Sequence, residues 1–430
     1  MTAVAAEIRS AAQAISVAGE LAADFASGAA ARDRDRALPY AEVDRLAASG
    51  LLAATVPAGY GGADLPPSVV AEVVRILAAA DPNIAQIPHS HFVYLNLLRL
   101  AGSDEQRRHY FGKVLRGGRI ANAQSERSGA TVADISTTLR PAGTRFQIDG
   151  TKFYCTGSLF ADVLAVLTRL DDPEEVSGLA AGEYIAYLPA DTPGVRIIDD
   201  WNGIGQRTTG SGTVHLDGVF VDRDQLIARA GAVGAPTGYG SFAQLLHAAI
   251  DAGIARGALT AATEFVRTTS RPWFESGVAR AIDDPLLIQR FGELSVAVTA
   301  AEATLVAAGS AVDAATVGVA SRPGGELFGA SGRSAATFGG VSASPDGDDP
   351  VARASLAVAA AKVLADRAAN EVSASLFEVG GTRSAAADLN LHHFWRNART
   401  HTLHDPVRWK YQHLGRALLH DAAPPWHGVI

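Results

Sequence analysis

Cysteine is nearly absent: Cys155 is the only one in 430 residues. An intrachain disulfide is therefore impossible, and a zinc site built on cysteine thiolates is excluded. Positive charge is not in excess either. Lys and Arg number 37 against 45 Asp and Glu, a net charge of −8, which argues against a nucleic-acid partner. Long uninterrupted apolar runs are also missing. MTAVAAEIRSAAQ carries Glu7 and Arg9 where a signal peptide needs its apolar segment. The alanine-rich LAVAAAKVLADRAA is broken by Lys362, Asp366 and Arg367, and no charge-free span of membrane length appears. The expectation is a soluble, cytoplasmic protein with no membrane or nucleic-acid partner. No internal repeat is visible. Apolar residues make up 48% of the chain, enough for a large core shared by two or three units.

The chain changes character twice. Residues 1–120 read as helices: AEVDRLAASGLLAA, SVVAEVVRILAAAD and HFVYLNLLRLAG have apolar residues at helical spacing, and VPAGYGG supplies a turn. Residues 121–228 are short runs rich in β-branched and aromatic residues, such as FQIDGTKFYCTG, EYIAYLPA and GTVHLDGVFV, separated by Gly, Asp and Pro. They predict a mostly antiparallel β-domain. From 229 to 430 long helical patterns return. They are interrupted at about 321–350 by a Gly/Ser/Pro-rich stretch that reads as a loop or mobile lid. A further helix ends at Gly380-Gly381.

The stretch HHFWRNARTHTLHDPVRWKYQHLG at 392–415 gathers five of the twelve histidines. Asn390 is a candidate cap for a helix of about three turns, and Pro406 ends it, forcing Asp405 to be extended. His404 then sits at a helix C-terminus, where the macrodipole and the adjacent carboxylate favour imidazolium. His401 lies one turn earlier. A metal set of His401, His404 and Asp405 has the residue types for iron, but the extended Asp405 points away from the helix face, so no metal is expected. The alternative for all five is a histidine-rich surface, and His392, His393 and His413 are read that way.

Several motifs, in order and spanning most of the chain, resemble the acyl-CoA dehydrogenase fold. VPAGYGG resembles its "VP-x-x-x-GG" turn, AQSERSGATVADI its "TEPxAGSD" flavin turn, and KFYCTG its "K-x-W/Y-I-T-N" strand. LDGVFV, FEVGGTRS and RNARTHTLHDP resemble its "F-D-D-V-x-V-P", "Q-x-x-GG-x-G" and "RDAKIxxIYEG". The resemblance implies an α+β architecture: an N-terminal helical domain, a middle antiparallel β-domain and a C-terminal four-helix bundle. The catalytic glutamate of the dehydrogenases is replaced by His404-Asp405-Pro406. ARTHTLHDPVRWKYQHLG and IAQIPHSHFVYLNLLR are more similar to the monooxygenase branch, that of dibenzothiophene monooxygenase and the sulfur-acquisition oxidoreductases.

That branch implies a two-component monooxygenase. Reduced FMN arrives from a separate NAD(P)H:flavin reductase, reacts with O2 to a C4a-hydroperoxide, and oxygenates a sulfur-containing or related heteroaromatic small molecule. Its dry pocket needs donors near the flavin N5 and the peroxide. Carried over residue by residue, His404 is the peroxide donor, His91 faces the same pocket, Asn122 is a polar neighbour, and Thr156 bonds N5 with Tyr154 against the ring. The bland reading of His91 is a helix-surface histidine; that of Thr156 is an ordinary strand residue. Ser125 and Thr131 bind the ring edge or ribityl chain. Arg271 and Phe274 match the "R-x-x-F" that reaches a neighbouring subunit's cofactor, so a homo-oligomer, a tetramer, is implied. Arg383 binds the FMN phosphate. Phe377 in place of a glutamine favours FMN over FAD, and Arg127 in place of a proline alters the flavin turn. Trp201 is a substrate-side residue or a core tryptophan. The competing readings are an FAD-dependent acyl-CoA dehydrogenase with Asp405 as base, and a non-catalytic scaffold.

Overall fold

The computed structural model describes residues 5–320 and 349–430. The first region holds α1 (Ala11–Asp35), α2 (Tyr40–Ala48), α3 (Pro67–Ala80), α4 (Pro82–Gln86), α5 (His89–Ala101) and α6 (Asp104–Leu115). AEVDRLAASGLLAA is not one helix. Gly50 adopts the left-handed conformation at φ 81° and splits it. The five-residue α4 is set by Asp81, which accepts from Asn83 N at 3.0 Å and Ile84 N at 3.4 Å, with Pro82 at the first helical position. This short helix fixes Asn83 and Gln86, both buried.

Eight strands follow: β1 (Ile120–Ala123), β2 (Thr138–Ala142), β3 (Arg145–Cys155), β4 (Val163–Leu170), β5 (Glu183–Pro189), β6 (Val195–Ile198), β7 (Gly212–Val221) and β8 (Leu226–Ala228). They form one sheet in the order β6-β7-β3-β2-β4-β5-β8, with β1 also on β4. The pairings of β4 with β1 and β2 are parallel and the others antiparallel. Along β4, Val163, Ala165 and Leu167 face the helical core, while Leu164 and Val166 face a second core inside the β-region. Both faces are covered, which is why VLAVL reads as a continuous apolar run. Tyrosines fasten sheet to helices: Tyr94 donates to Gln124 Oε1 at 2.6 Å and Tyr110 to the Tyr187 carbonyl at 2.9 Å.

The last region contains the one-turn α7 (Ala230–Val233), three long helices, α8 (Tyr239–Thr268), α9 (Pro285–Ala320) and α10 (Pro350–Gly380), and the shorter α11 (His393–His401) and α12 (Arg408–His420). α3 packs on α8 and α9, so one apolar core runs through both helical regions. Residues 285–316 of α9 are long and apolar enough to cross a membrane by length and composition. In the fold they carry two polar anchors: Glu302 pairs with Arg75 at 3.0 Å and with Arg256, and Asp313 accepts from Ser68 N at 2.9 Å. The stretch read as a lid lies outside the described residues except for Asp349 and Pro350, which open α10, Asp349 accepting from Val351 N at 3.0 Å.

Candidate active site

At the end of β3 the register with β7 shifts between Lys152 and Cys155, and Tyr154 takes a left-handed backbone at φ 58°. The bulge turns the Tyr154 ring outward, where it meets Trp201 edge-on with centroids 6.0 Å apart. Arg127 lies over Phe153 and Tyr154 at 4.2 and 5.0 Å. Arg127, Tyr154 and Trp201, with Asn202, Ser211 and Thr213, line a cleft of about 410 Å³. Trp201 is thus a cleft residue rather than a core tryptophan. Its Nε1–H donates to the Gln206 carbonyl at 2.7 Å.

Thr156 begins a chain of hydroxyls. Its Oγ1 is 2.8 Å from Ser211 Oγ, which is 2.7 Å from Thr209 Oγ1, and Thr209 donates to the Gln206 carbonyl at 2.9 Å. With that proton committed, Ser211 donates to Thr209 and Thr156 to Ser211, leaving the Thr156 oxygen as an acceptor. The loop then meets α4 and α11. Thr208 N donates to Asn83 Oδ1 at 3.1 Å and Gln206 N to Asn397 Oδ1 at 2.7 Å. Gln206 itself needs the left-handed φ of 50°, and a Cβ on Gly205 would lie 2.0 Å from the Arg396 carbonyl, so no larger residue fits there.

The flavin-turn residues are organised by Glu126, which the sequence reading passed over. It accepts from Lys152 Nζ at 2.7 Å, Ser136 N at 2.8 Å, Thr137 N at 3.0 Å and Thr137 Oγ1 at 2.7 Å. Burial raises its pKa, but these donors overcome that and bring it down to about 2. Lys152 is pushed the other way, since burial lowers it more than Glu126 raises it. The donors on Glu126 decide the balance, and the pair stays ionised at neutral pH. Ser125 and Thr131 lie on the exposed side of this turn. Thr131 Oγ1 accepts from Ala133 N at 3.3 Å.

On the other side of the α4 and α11 contacts is a nest of four histidines. His401 Nδ1–H donates to Asp251 Oδ1 at 2.5 Å, and the other oxygen of Asp251 holds Lys362 Nζ at 2.6 Å. His401 Nε2 is 3.1 Å from His247 Nδ1. The His247 ring faces His89 at 3.9 Å and His404 at 4.9 Å between centroids. His404 Nδ1–H donates to the His401 carbonyl at 2.7 Å, so its Nε2 accepts from Gln86 Nε2 at 2.8 Å. Burial opposes a charge on Asp251, yet His401 and Lys362 bring its pKa down to about 2. Lys362 is raised, the attraction of Asp251 and Asp405 outweighing its burial.

Several expectations are corrected here. His404 is not favoured as imidazolium: loss of hydration, then repulsion from His401 and Lys362, pushes its pKa down to about 3. Part of the residue remains accessible, and water reaching it tempers that shift without reversing it. His91 does not face this nest. Its Nε2–H donates to the Leu52 carbonyl at 2.8 Å and its Nδ1 accepts from Ile120 N at 3.1 Å, tying helix to sheet. The histidine that enters is His89, two residues earlier. Asp405 is buried and holds Lys410 at 2.6 Å, so the set His401–His404–Asp405 does not form. The third ring beside His401 and His404 is His247, with nitrogens of all three within 4.8 Å of one another. Asn390 does not cap α11 but donates to the Ala30 carbonyl at 2.8 Å and Asp33 at 2.9 Å. His393 is buried, not a surface residue.

Asn122 lies on the helix-facing side of β1, with a buried Oδ1 that has no partner among the described residues. The same holds for Gln86 Oε1, both amide atoms of Gln206 and Asn397 Nδ2. An unmatched buried polar atom costs about 1–3 kcal/mol. Four such side chains around Thr156, α4 and α11 fit a polar planar ligand. Arg271, Phe274 and Arg383 form a separate exposed group. Arg383 Nη1 donates to the Thr269 carbonyl at 3.0 Å, and Ser270 to the Gly380 carbonyl at 3.1 Å. Among the described residues none of the three touches Thr156 or His404.

The chain matches the family models "Acyl-CoA dehydrogenase, N-terminal domain" over residues 10–118 and "Acyl-CoA dehydrogenase, C-terminal domain" over 245–409. Dibenzothiophene monooxygenase of Rhodococcus qingshengii is 32% identical over 424 residues, 95% of this chain and 94% of its own. The probable FMNH2-dependent monooxygenase SfnC of Pseudomonas putida is 31% identical, with 96% of each chain covered. The crystal structure of TdsC from Paenibacillus sp. A11-2 with FMN and indole superposes with a TM-score of 0.84 at 30% identity, covering 97% of this chain and 99% of that one.

Proposed function

The chain belongs to the acyl-CoA dehydrogenase family, in its FMNH2-dependent monooxygenase branch, and from that premise we propose that it oxygenates a small sulfur-containing or related heteroaromatic molecule using O2 and FMN reduced by a separate NAD(P)H:flavin reductase. Reduced FMN, when bound, supplies the electrons that activate O2. The observation that carries the reading is the set of unmatched polar atoms on Asn122 of β1, Gln86 of α4, Asn397 of α11 and Gln206 in the loop that joins the Thr156 hydroxyl chain to α4 and α11.

The residues then divide the work. The Thr156 oxygen, left as an acceptor by Ser211, suits the N5–H of the reduced ring. Tyr154 lies against the ring, Ser125 and Thr131 hold its edge or ribityl chain, and the phosphate falls to Arg383 of a neighbouring subunit, from the same exposed group as Arg271 and Phe274. Arg271 and Phe274, exposed here, complete the site of a neighbouring subunit, so the active form is an oligomer, a tetramer. His404 orients O2-derived oxygen and gives it a proton. Its tautomer presents Nε2 as an acceptor held by Gln86, so it donates from Nε2 only after that contact exchanges and Nε2 takes up a proton. The neutral rings of His89 and His247 keep stray charge out of the site.

The dehydrogenase alternative needs a base free to reach a substrate carbon. The Asp405 carboxylate is instead buried against Lys410 at 2.6 Å, which disfavours it. The test is turnover of a thiophene-type sulfide and of indole by the purified chain with an FMN reductase, beside the same chain with FAD and acyl-CoA. Oxygenated product in the first mixture and no FAD reduction in the second is expected. The reverse pattern contradicts the proposal.

A further inference from the structure

The inner half of the histidine nest holds buried charge. Asp251 on α8, Lys362 on α10 and His401 on α11 are buried together. Ion pairs in the interior are a poor source of stability compared with apolar packing. Their geometry is directional. Asp251 Oδ1 is 2.5 Å from His401 Nδ1, and His401 Nε2 is 3.1 Å from His247 Nδ1. His247 Nε2 has no hydrogen-bond partner among the described residues, and its ring stands 4.9 Å from that of His404. The line therefore starts at a buried carboxylate and ends at a free ring nitrogen beside the proposed site of oxygen transfer.

We propose that Asp251, His401 and His247 form a proton relay that opens beside His404 at His247 Nε2. The destination of the proton rests on the monooxygenase reading; the relay itself does not. In the loaded form His401 carries protons on both nitrogens, donating Nδ1–H to Asp251 and Nε2–H to His247 Nδ1, and His247 is protonated at Nε2. When an acceptor takes the Nε2 proton, His247 Nδ1 takes the Nε2 proton of His401. His401 ends neutral and still donates Nδ1–H to Asp251. One proton leaves the chain and no heavy-atom bond changes. In the reaction, the acceptor is Nε2 of His404 once Gln86 has exchanged away, and His404 passes the proton to the oxygen atom of O2 that is not transferred, which departs as water. FMNH2 supplies both hydrogens of that water overall, so the relay lends its proton and is reloaded by the one the flavin later releases.

Asp251 and His401 are positioning residues, acting through His247. The charged groups around the line are consistent with a store that discharges readily. His247 faces His89 from α5, Lys362 from α10, and His401 and His404 from α11 and the turn after it. Lys362 shares Asp251 with His401 and is also drawn to Asp405 and Asp366. Burial, then the neighbouring histidines and Lys362, push the pKa of His247 well below the usual histidine range, so a proton reaching it is passed on rather than kept.

The test is a pH titration of the histidine ring nitrogens by NMR on the FMN-free full chain with isotopically labelled histidine. His401 and His247 are expected to titrate as one coupled unit, and His247→Gln should move the His401 midpoint. Because Asp251→Asn alone strands the Lys362 charge, Asp251→Asn is paired with Lys362→Met; in that variant the His401 midpoint should fall. A His401 midpoint unchanged in both variants overturns the relay. With reductase, FMN and substrate, His247→Gln should lose roughly 100-fold or more in oxygenation and release H2O2 instead. That loss without any change in the His401 titration would also overturn the relay, leaving His247 a substrate contact. Coupled titration in a wild-type chain that oxygenates no sulfide would support the relay and contradict the functional reading.

Discussion

The side-chain nitrogen of Gln86 lies 2.8 Å from Nε2 of His404. With Nδ1–H given to the His401 carbonyl, this contact sets the tautomer and leaves the ring neutral and aimed from both ends. If His404 hands a proton to oxygen, His404→Ala should lose about 2.7–4 kcal/mol of transition-state stabilisation, roughly 100- to 1,000-fold in rate. FMN binding should persist and H2O2 should appear in place of product. The check is product and peroxide counted per NAD(P)H consumed. Coupled turnover at the wild-type level would remove His404 from the chemistry.

His89 and His91 should separate cleanly. His91→Leu strands the Leu52 carbonyl and the Ile120 N–H, at about 1–3 kcal/mol for each buried group. Denaturant unfolding should show that loss, with oxygenation per folded molecule little changed. His89→Leu loses one hydrogen bond, to the Ala243 carbonyl at 3.0 Å, and a ring against His247, so it should cost less stability and more coupling. Equal effects of both on coupling would contradict the placement of His91.

Acid should weaken the fold through Glu126. Its pKa is lowered from an ordinary 4.5 to about 2 in the folded chain, so the stabilisation is complete above the unfolded value and lost as pH falls from about 4.5 towards 2. It is worth about 3 kcal/mol. Glu126→Gln should flatten that part of the pH–stability curve and, by leaving Lys152 buried without its partner, cost about 3–5 kcal/mol at neutral pH. An unchanged acid limb would contradict this role.

A site completed by a neighbouring subunit predicts complementation. Chains with Thr156→Val and chains with Arg271→Ala plus Phe274→Ala should each be poor enzymes. Mixed oligomers should regain activity, because some sites then hold Thr156 from one chain and Arg271 and Phe274 from the other. Mixtures no better than either parent would argue that each site lies within one chain.

What could be read before folding was local. KFYCTG announces Thr156 and Tyr154 because bulge, ring and hydroxyl lie within three residues of one strand. The glycines of WNGIGQRTTGSG announce a tight loop, and Gly205 shows why. The sequence does not separate His89 from His91, because the difference depends on where α5 begins, which Pro88 and the tertiary contacts decide. His247 and Asp251 stand four apart in LLHAAIDAGIA, a visible polar pair on one helical face, but their partners His401 and Lys362 are more than one hundred residues away. The charge of His404 was misjudged for a related reason. A helix-end rule describes an isolated histidine, and the hydration lost beside His401 and Lys362 outweighs it.

The most direct test of the account follows the oxygen. The purified chain, an FMN reductase, NAD(P)H and a thiophene-type sulfide are mixed under isotopically heavy O2, and the product is weighed by mass spectrometry. The account predicts one heavy oxygen atom per oxygenation, absent when FMN is withheld and strongly reduced in His404→Ala. Product carrying oxygen from water, or flavin oxidised with only H2O2 released across sulfides and indole alike, would contradict it.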